Sequence, residues 1–364
     1  MWTTILLYTV AFMIFPIVGG LFFRYYLHYS YTWKEFAANV AIVLIAVTTV
    51  LSIGLFGKTT DTELLNGEIT GKQRVHDTYQ ESYQCNCRTV CTGSGDSRSC
   101  STVCDTCWRT IYTVEWFATS TVGKILFARR ESQSRSVYLA ADPKAYTDCV
   151  IGEPASVASS FTNYVKATPS SLFHSNDQSN HPIPAYPGVH SFYKVNRVIS
   201  VGNVGNRQTI IDLNGALNDA LKSLGKKKQV NIIVVVTRIN DPTYKFAVEN
   251  AWLGGKKNDV VVFLGVNGDD ITWADAMTWA KNAGNELFVV KLRDRLIAAG
   301  KFESNTIADA ITSTITTDFT RPKMADYEYL IDDIEISTWS LLVALLLSIG
   351  LSLGLTFIFH KYVR

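Results

Sequence analysis

Residues 230–237 read Val-Asn-Ile-Ile-Val-Val-Val-Thr, and residues 259–266 read Asp-Val-Val-Val-Phe-Leu-Gly-Val. Each is a short, almost uninterrupted apolar run rich in β-branched residues, which is typical of a strand covered on both faces. A helical pattern precedes each run, over Ile210–Leu224, which we expect to end at Gly225, and over Tyr244–Trp252. Alternating strands and helices of this kind predict an α/β architecture with helices packed on a central sheet.

The segment after the second apolar run, Ile271–Trp279, alternates between apolar and polar residues. We interpret it as a further strand, paired with the preceding one through a turn at Asn267-Gly268, and a capped helix is the alternative. Two amphipathic stretches, Glu286–Ala299 and Thr306–Phe319, then predict two helices. Residues 207–330 are therefore predicted to form one α/β domain.

This section resembles the TPM-domain family. The resemblance depends on the strand Ile232–Thr237 and on the stretch Ala251–Asp259, which reads Ala-Trp-Leu-Gly-Gly-Lys-Lys-Asn-Asp and leads into the second strand. It also depends on a closing group of residues: Ile315, Phe319, Arg321, Asp326 and Tyr327. TPM domains occur in membrane-anchored bacterial proteins, commonly outside the cytoplasmic membrane, and in a thylakoid-lumen protein linked to photosystem repair. The resemblance implies an α/β/α sandwich. Some members are described as acid phosphatases, but this chain departs from the family's glycine-rich segment after the third strand.

Hydrophobic residues are also concentrated in three runs near the ends of the chain, Trp2–Phe23, Phe36–Phe56 and Trp339–Phe359. Each has about 20 residues without a charge, which is the length that an α-helix needs to cross roughly 30 Å of hydrocarbon. Buried core helices and, for the first run, a cleaved signal peptide are weaker interpretations, because the runs have no polar face and the first has no basic leader. We therefore predict three transmembrane helices.

The sequence thus divides into four sections. Residues 1–56 contain two transmembrane helices, 57–206 form a Cys-rich and β-rich section, 207–330 form the α/β domain, and 331–364 contain the last transmembrane helix and a short tail. The predicted fold class is mixed α+β with an α/β domain. The net charge of +2 and the lack of a long Lys/Arg block argue against a nucleic acid partner.

Charges beside the apolar runs predict the orientation of the chain. The loop between the first two runs carries Arg24 and Lys34, and the tail ends at Arg364, whereas Asp332-Asp333 precede the third run. The positive-inside rule places the loop and the tail in the cytoplasm. The N-terminus and residues 57–337 are then expected outside the cytoplasm, with the helices in a bacterial-type inner membrane.

Six cysteines fall within residues 85–107, and a seventh, Cys149, stands apart. The clustered residues are Cys85, Cys87, Cys91, Cys100, Cys104 and Cys107. An even count outside the cytoplasm favours three disulfides among them and leaves Cys149 as the free thiol. The spacing Cys104-x-x-Cys107 leaves a zinc site and a thioredoxin-type redox pair as alternatives. Six cysteines exceed one four-ligand zinc site, and the residues that follow resemble a strand rather than a helix.

The disulfides are expected to stabilise a long hairpin or loop with little core of its own, and the chain from Trp108 to about Ser200 is predicted to be β-rich. Lys58–Gln84 is polar and has little periodicity. Thr110–Ala118, Ser136–Ala141 and Val189–Val201 have strand composition, and Ser156–Ala167 has the composition of a short helix.

Function is predicted mainly from missing motifs, since the sequence contains no G-x-S-x-G, H-E-x-x-H, P-loop or Rossmann pattern. The preferred hypothesis is a membrane-tethered, extracytoplasmic binding or assembly module without a cofactor. It would contact membrane lipid and either a protein partner or further copies of itself. A pore formed by several copies stays open, whereas uncharged spans argue against a channel formed by one chain.

The alternative hypothesis is an extracytoplasmic, metal-dependent, phosphatase-like hydrolase that binds a divalent cation. Such a site requires clustered carboxylates. The candidate ligands are Asp259, Asp269, Asp270, Asp275, Asp318 and Asp326. Asp269-Asp270 follow a buried strand, where α/β proteins commonly bind ligands.

Overall fold

The computed structural model of the protein describes residues 2–27, 32–92, 99–168, 181–202, 204, 206–279 and 284–362. Within these residues the fold is mixed α and β. Long apolar helices lie at both ends of the chain, and two four-stranded sheets lie between them in sequence. The tail residue Arg364, which we predicted to be cytoplasmic, lies outside the described residues.

Three helical segments have the length and composition to cross a membrane: Trp2–Tyr25, Trp33–Thr59 and Thr338–Lys361. They agree with the three predicted spans and extend each of them by a few residues. The first contains helices α1 (Trp2–Phe12) and α2 (Ile14–Tyr25), the second is α3 (Trp33–Thr59), and the third is called the C-terminal helix (Thr338–Tyr362).

The first span is not the single continuous helix that its apolar run predicts. The helix is interrupted at Met13, between α1 and α2. Pro16 has no N–H to donate to the carbonyl of Phe12, four residues earlier. The Ser348 hydroxyl, on the C-terminal helix, donates to that carbonyl at 2.8 Å. A neighbouring span therefore replaces the hydrogen bond that the proline removes, as the interior of a bilayer requires.

The first sheet is antiparallel and has the strand order β3-β2-β1-β4. Its strands are β1 (Thr60–Thr92), β2 (Ser99–Ser120), β3 (Gly123–Ser132) and β4 (Pro154–Thr162). β1 begins at the residue that follows α3. No linker therefore separates α3 from the sheet.

This section differs from its sequence pattern in two places. Lys58–Gln84, which is polar and shows little periodicity, lies in β1 from Thr60 onward. The outer part of this strand is exposed on both faces, so its sequence lacks the apolar alternation that marks a half-buried strand. The predicted strand Ser136–Ala141 is wrong, because these residues lie mostly in the 3-10 helix Arg135–Leu139. The short helix α4 (Lys144–Asp148) follows it.

Two further predictions need correction. Ser156–Ala167 is mostly strand, because β4 runs to Thr162 and only α5 (Tyr164–Ala167) is helical. In Val189–Val201 only β5 (Val198–Val201) is a strand. Alanine favours a helix, but propensity is a weak preference that tertiary contacts override, so pairing with β1 decides the conformation of the first segment.

The second sheet has the order β5-β6-β7-β8. β6 (Asn231–Thr237) is parallel to β5 on one side and to β7 (Asp259–Asn267) on the other. β8 (Asp270–Met277) is antiparallel to β7. The predicted strand after the Asn267-Gly268 turn is therefore confirmed. Both faces of this sheet are covered. One face, which includes Val234 and Val262, packs against helices, and the opposite face, which includes Val235 and Phe263, packs in a second apolar cluster.

Four helices cover this sheet: α6 (Arg207–Lys228), α7 (Tyr244–Ala251), α8 (Asn285–Ala299) and α9 (Ser304–Asp318). Each agrees with a predicted helix, but α6 does not end at Gly225. A Cβ at Gly225 would collide with the backbone carbonyl of Asn66. The glycine therefore permits the close approach of α6 to β1 inside the helix and does not terminate it.

Candidate functional site

Buried charge is concentrated where the base of β1 meets the second sheet. We call this group the junction. Its members are Asp61, Glu63 and Asn66 on β1, Ser156 on β4, and Tyr186, Arg197, Asn231, Lys256, Lys257, Asp259 and Arg321. It lies within a few residues of the end of α3 and therefore connects this long apolar helix to both sheets.

The carboxylate of Asp61 is buried and is held by cations and an amide. Lys256 Nζ lies 2.5 Å from Oδ1, and Asn163 Nδ2 donates to Oδ2 at 2.7 Å. Burial by itself raises the pKa of Asp61, but the hydrogen bonds from Lys256 and Asn163 outweigh it, so the pKa is lowered from 3.8. Asp61 is therefore ionised at neutral pH.

Glu63, two residues further along β1, makes a second set of ion pairs. Its Oε1 contacts the guanidinium of Arg321 and lies 3.5 Å from Lys257 Nζ. Burial lowers the pKa of Lys257, and the nearby Glu63 opposes this effect. Because successive side chains of a strand alternate between faces, Asp61 and Glu63 point to the same face, toward the second sheet.

A glycine turn delivers the two lysines to these carboxylates. Leu253, Gly254 and Gly255 have φ values of 51°, 72° and 74°, a left-handed run that glycine adopts without strain. The turn lets the backbone N–H of Lys256 donate to Asp259 Oδ2 at 2.7 Å. Gly254 and Gly255 thus follow the end of α7 and also form the loop that carries the two lysines.

Arg197 lies at the centre of the junction and is buried. Its Nε donates to Asn218 Oδ1 at 2.8 Å, and one terminal nitrogen donates to Asn231 Oδ1 at 2.7 Å. The other terminal nitrogen donates to Asn66 Oδ1 at 2.7 Å and to Ser156 Oγ at 3.0 Å. These four acceptors are neutral, and burial lowers the pKa of Arg197 to about 9. One side chain thus bridges the two sheets and α6.

The network continues from Arg197 to Asp259. Asn231, whose oxygen accepts from Arg197, donates its Nδ2 to Asp259 Oδ1 at 2.8 Å, and the Tyr186 hydroxyl donates to Oδ2 at 2.8 Å. Burial raises the pKa of Asp259, and these hydrogen bonds oppose that effect. Burial beside Asp259 also raises the pKa of Tyr186. Both groups are occupied by protein partners, so this arrangement favours a structural bridge rather than a reaction site.

The other candidate metal ligands are dispersed. Asp269 and Asp270 lie in the exposed β7–β8 turn, where Asp270 contacts Lys301 Nζ at 2.6 Å. Asp275 contacts Lys245 Nζ at 2.9 Å, and Asp318 contacts Lys291 Nζ at 2.5 Å. Asp326 lies in the first turn of the 3-10 helix Met324–Asp333 and accepts from the Lys323 N–H at 3.3 Å. Across the part of the chain that the structure describes, no group of three or more His, Cys, Asp or Glu side chains could hold a metal ion.

The clustered cysteines lie in a second feature, which we call the ribbon and define as Tyr79–Thr92 of β1 with Ser99–Ile111 of β2. Within the described part of the chain these two segments pair only with each other, because the pairing of β1 with β4 stops at Glu68 and the pairing of β2 with β3 stops at Tyr112. At 3.3 Å per residue the ribbon is about 45 Å long.

Three disulfides link the strands of the ribbon: Cys85–Cys107, Cys87–Cys104 and Cys91–Cys100. This pairing agrees with the disulfide interpretation of the cluster. Cys149 is free and buried outside the ribbon. Asn86 has a φ of 47° at an irregularity in the strand register, where one extra residue of β1 lies between the first two bridges.

The ribbon exposes aromatic and charged side chains. Tyr79, Tyr83 and Trp108 are 40%, 41% and 65% exposed. Between the two tyrosines, Glu81 Oε2 accepts from Arg109 Nε at 2.7 Å, and the Arg109 guanidinium lies over the Tyr83 ring. Large apolar surfaces held in water usually mark contact sites for another molecule.

Sequence reasoning identified the cysteines but not the junction. Lys256 and Lys257 belong to a stretch that was singled out for its family resemblance, Asp259 was predicted only as a candidate metal ligand, and Arg197 carries no local signal at all. Asp61 and Glu63 were detectable as two acidic residues directly after a predicted span. No protein-family model, curated protein or solved structure matches this chain.

Proposed function

We propose that this protein is a membrane-tethered, extracytoplasmic binding module that contacts a protein partner through the ribbon. The observation that carries the proposal is the ribbon itself. About 27 residues form two strands that pair only with each other and expose Tyr79, Tyr83 and Trp108. An isolated two-stranded hairpin is marginally stable in water. Disulfides stabilise such a hairpin by restricting its unfolded chain, so its surface stays available for contact.

The disulfides also support the location. Disulfides persist in oxidising compartments and are rare in the cytosol. The charges beside the three spans independently favour residues 57–337 outside the cytoplasm, with Arg24 and Lys34 inside. Lipid would then surround the spans, and the ribbon would extend away from the lipid surface.

The junction supports a fixed direction for the ribbon. β1 continues α3 without a linker, and its base is bound to the second sheet by Asp61, Glu63 and Asn66. In the proposal the second sheet and its helices, which we compare to a TPM domain, act as the body that supports the ribbon. No catalytic step is assigned to it.

Photo-cross-linking in intact cells tests this function. A photo-reactive residue replaces Trp108 or Tyr83 in the full-length protein, and a matched variant carries it at Leu139, which is 86% exposed but lies outside the ribbon. We expect protein adducts from the two ribbon positions and none from the position 139 variant. Equal labelling at all three positions, or no adduct from the ribbon, would contradict the proposal.

A further inference from the structure

We propose that the partner of the ribbon is the ribbon of a neighbouring copy of this chain, joined strand to strand into a closed ring on the membrane. This inference rests on the proposed function and names its partner. It follows from the two free strand edges of the ribbon, from the tether, and from the charges along the edges.

Both outer edges of the ribbon have unpaired backbone groups. Among the described residues, no strand lies on the side of β1 away from β2 beyond Ile69, or on the side of β2 away from β1 between Ser99 and Ile111. A long exposed edge presents N–H and C=O groups that can pair with another strand. The disulfides lie between β1 and β2, so they leave these outer edges accessible.

The tether decides which edges can meet. Copies inserted in one membrane extend their ribbons on the same side, with β1 leaving the membrane helix and β2 returning. The ribbons of two neighbouring copies therefore form an antiparallel strand pair only when β2 of one copy lies beside β1 of the other. A two-fold axis perpendicular to the membrane would instead place β1 beside β1, in parallel, with Glu81 facing Glu81. Head-to-tail contacts that repeat by rotation close into a ring of three or more copies.

The charges on the two edges are complementary in this arrangement. Glu81 and Arg109 are register partners, so they lie at the same height above the membrane in every copy. Arg109 makes two polar contacts with Glu81, from Nε and from one terminal nitrogen, and both are to Oε2. Within the described residues Oε1 accepts no hydrogen bond, which leaves it for the Arg109 of the next copy. Each carboxylate would then lie between two guanidiniums. Opposite charges on adjacent strands are favourable, and like charges are unfavourable.

A second charge pattern on the same face supports this arrangement. Further from the base, β1 carries Arg88 and β2 carries Asp105, two register positions apart. From the base toward the tip, the β1 edge therefore carries a negative charge (Glu81) and then a positive one (Arg88). The β2 edge carries a positive charge (Arg109) and then a negative one (Asp105). A head-to-tail neighbour at equal height therefore places Glu81 directly beside Arg109 of the next copy and Arg88 diagonally across from its Asp105.

A charge exchange between the two positions tests the ring. The variant E81R/R109E keeps its own ion pair in reversed form, so each copy keeps the pair within its ribbon. Two full-length copies with different tags are co-expressed and extracted with their lipids in nanodiscs formed from the membrane. We expect co-purification for wild type with wild type and for variant with variant. Wild type with variant should co-purify at least about fivefold less, because Glu then faces Glu and Arg faces Arg.

The matched control is K144D/D148K, which reverses an exposed ion pair on α4 outside the ribbon. It should co-purify with wild type in full. Equal recovery of the mixed pair of wild type and E81R/R109E would overturn edge pairing, and a monomer in every combination would overturn the ring. In either case Trp108 adducts with a different protein would leave the proposed function standing, whereas a ribbon that forms no adduct at all would refute both.

Discussion

Replacing Arg197 with methionine tests whether the junction holds the two sheets together. Methionine is unbranched and of similar length, so Arg197→Met removes the guanidinium while much of the buried volume stays filled. Four hydrogen bonds are lost, to Asn218, Asn231, Asn66 and Ser156. The oxygens of these residues would then be buried without that donor.

The size of the effect follows from these contacts. Hydrogen bonds with a charged donor contribute roughly 1.5–3 kcal/mol each, so four contribute about 6–12 kcal/mol. Removing the guanidinium from water opposes this by several kcal/mol. The expected net loss is therefore about 3–5 kcal/mol, because the neutral oxygens that accept from Arg197 stay buried and lose this donor. Total stabilities are about 5–15 kcal/mol, so this is a large fraction.

Thermal unfolding of the full-length protein in detergent measures the effect. At roughly 2–4 °C per kcal/mol, the midpoint for Arg197→Met should fall by about 6–20 °C. The control Arg238→Met makes the same substitution at an exposed position directly after β6 and should stay within about 0.5 kcal/mol of wild type. A midpoint for Arg197→Met equal to or above that of wild type would refute the reasoning, because desolvation would then exceed the four hydrogen bonds.

Three further predictions concern single regions. Val234→Asp should abolish folding, measured by protease resistance, because it buries an unpaired carboxylate in β6. Val290→Asp should be tolerated, because the Val290 side chain lies on the exposed face of α8. The double change of Asp269 and Asp270 to Asn should preserve the fold and alter neither divalent-ion binding nor phosphatase activity, measured by calorimetry and phosphate release; loss of a metal-dependent activity would support the hydrolase alternative. The stabilisation from Asp61, whose pKa is lowered from 3.8, should be complete above that pH and lost below it. Unfolding midpoints between neutral pH and about pH 3 should therefore fall less steeply in Asp61→Asn, and identical slopes would exclude this role.

The second sheet was predictable because its signals are local. Val234 and Val262 belong to uninterrupted apolar runs, and such runs arise when both faces of a strand are buried. Glycine and asparagine at the β7–β8 turn specify the hairpin within a few residues. Gly225 shows where local signals stop, because its role is to admit Asn66, which lies far away in sequence.

The first sheet was harder to predict because its longest strand buries little. The ribbon part of β1, Tyr79–Thr92, is exposed on both faces, so hydrophobic periodicity does not mark it. Its conformation depends on pairing with β2 and on three bridges. Even with the cysteines identified, six residues allow 15 pairings, so sequence alone does not specify the hairpin register.

The polar character of the junction explains how the ribbon could be held at a defined height. An apolar interface between β1 and the second sheet would tolerate a shift of two residues, which preserves the pattern of faces and moves the ribbon by about 6.6 Å. Asn66 excludes such a shift, because it donates to the Val230 carbonyl at 2.9 Å while it accepts from Arg197. Asp61 and Glu63 add two ion pairs that a shifted strand would break. In the proposed ring, Glu81 meets the Arg109 of the next copy only when all copies stand at one height, so the buried charges at the base of β1 set the level at which the exposed charges meet.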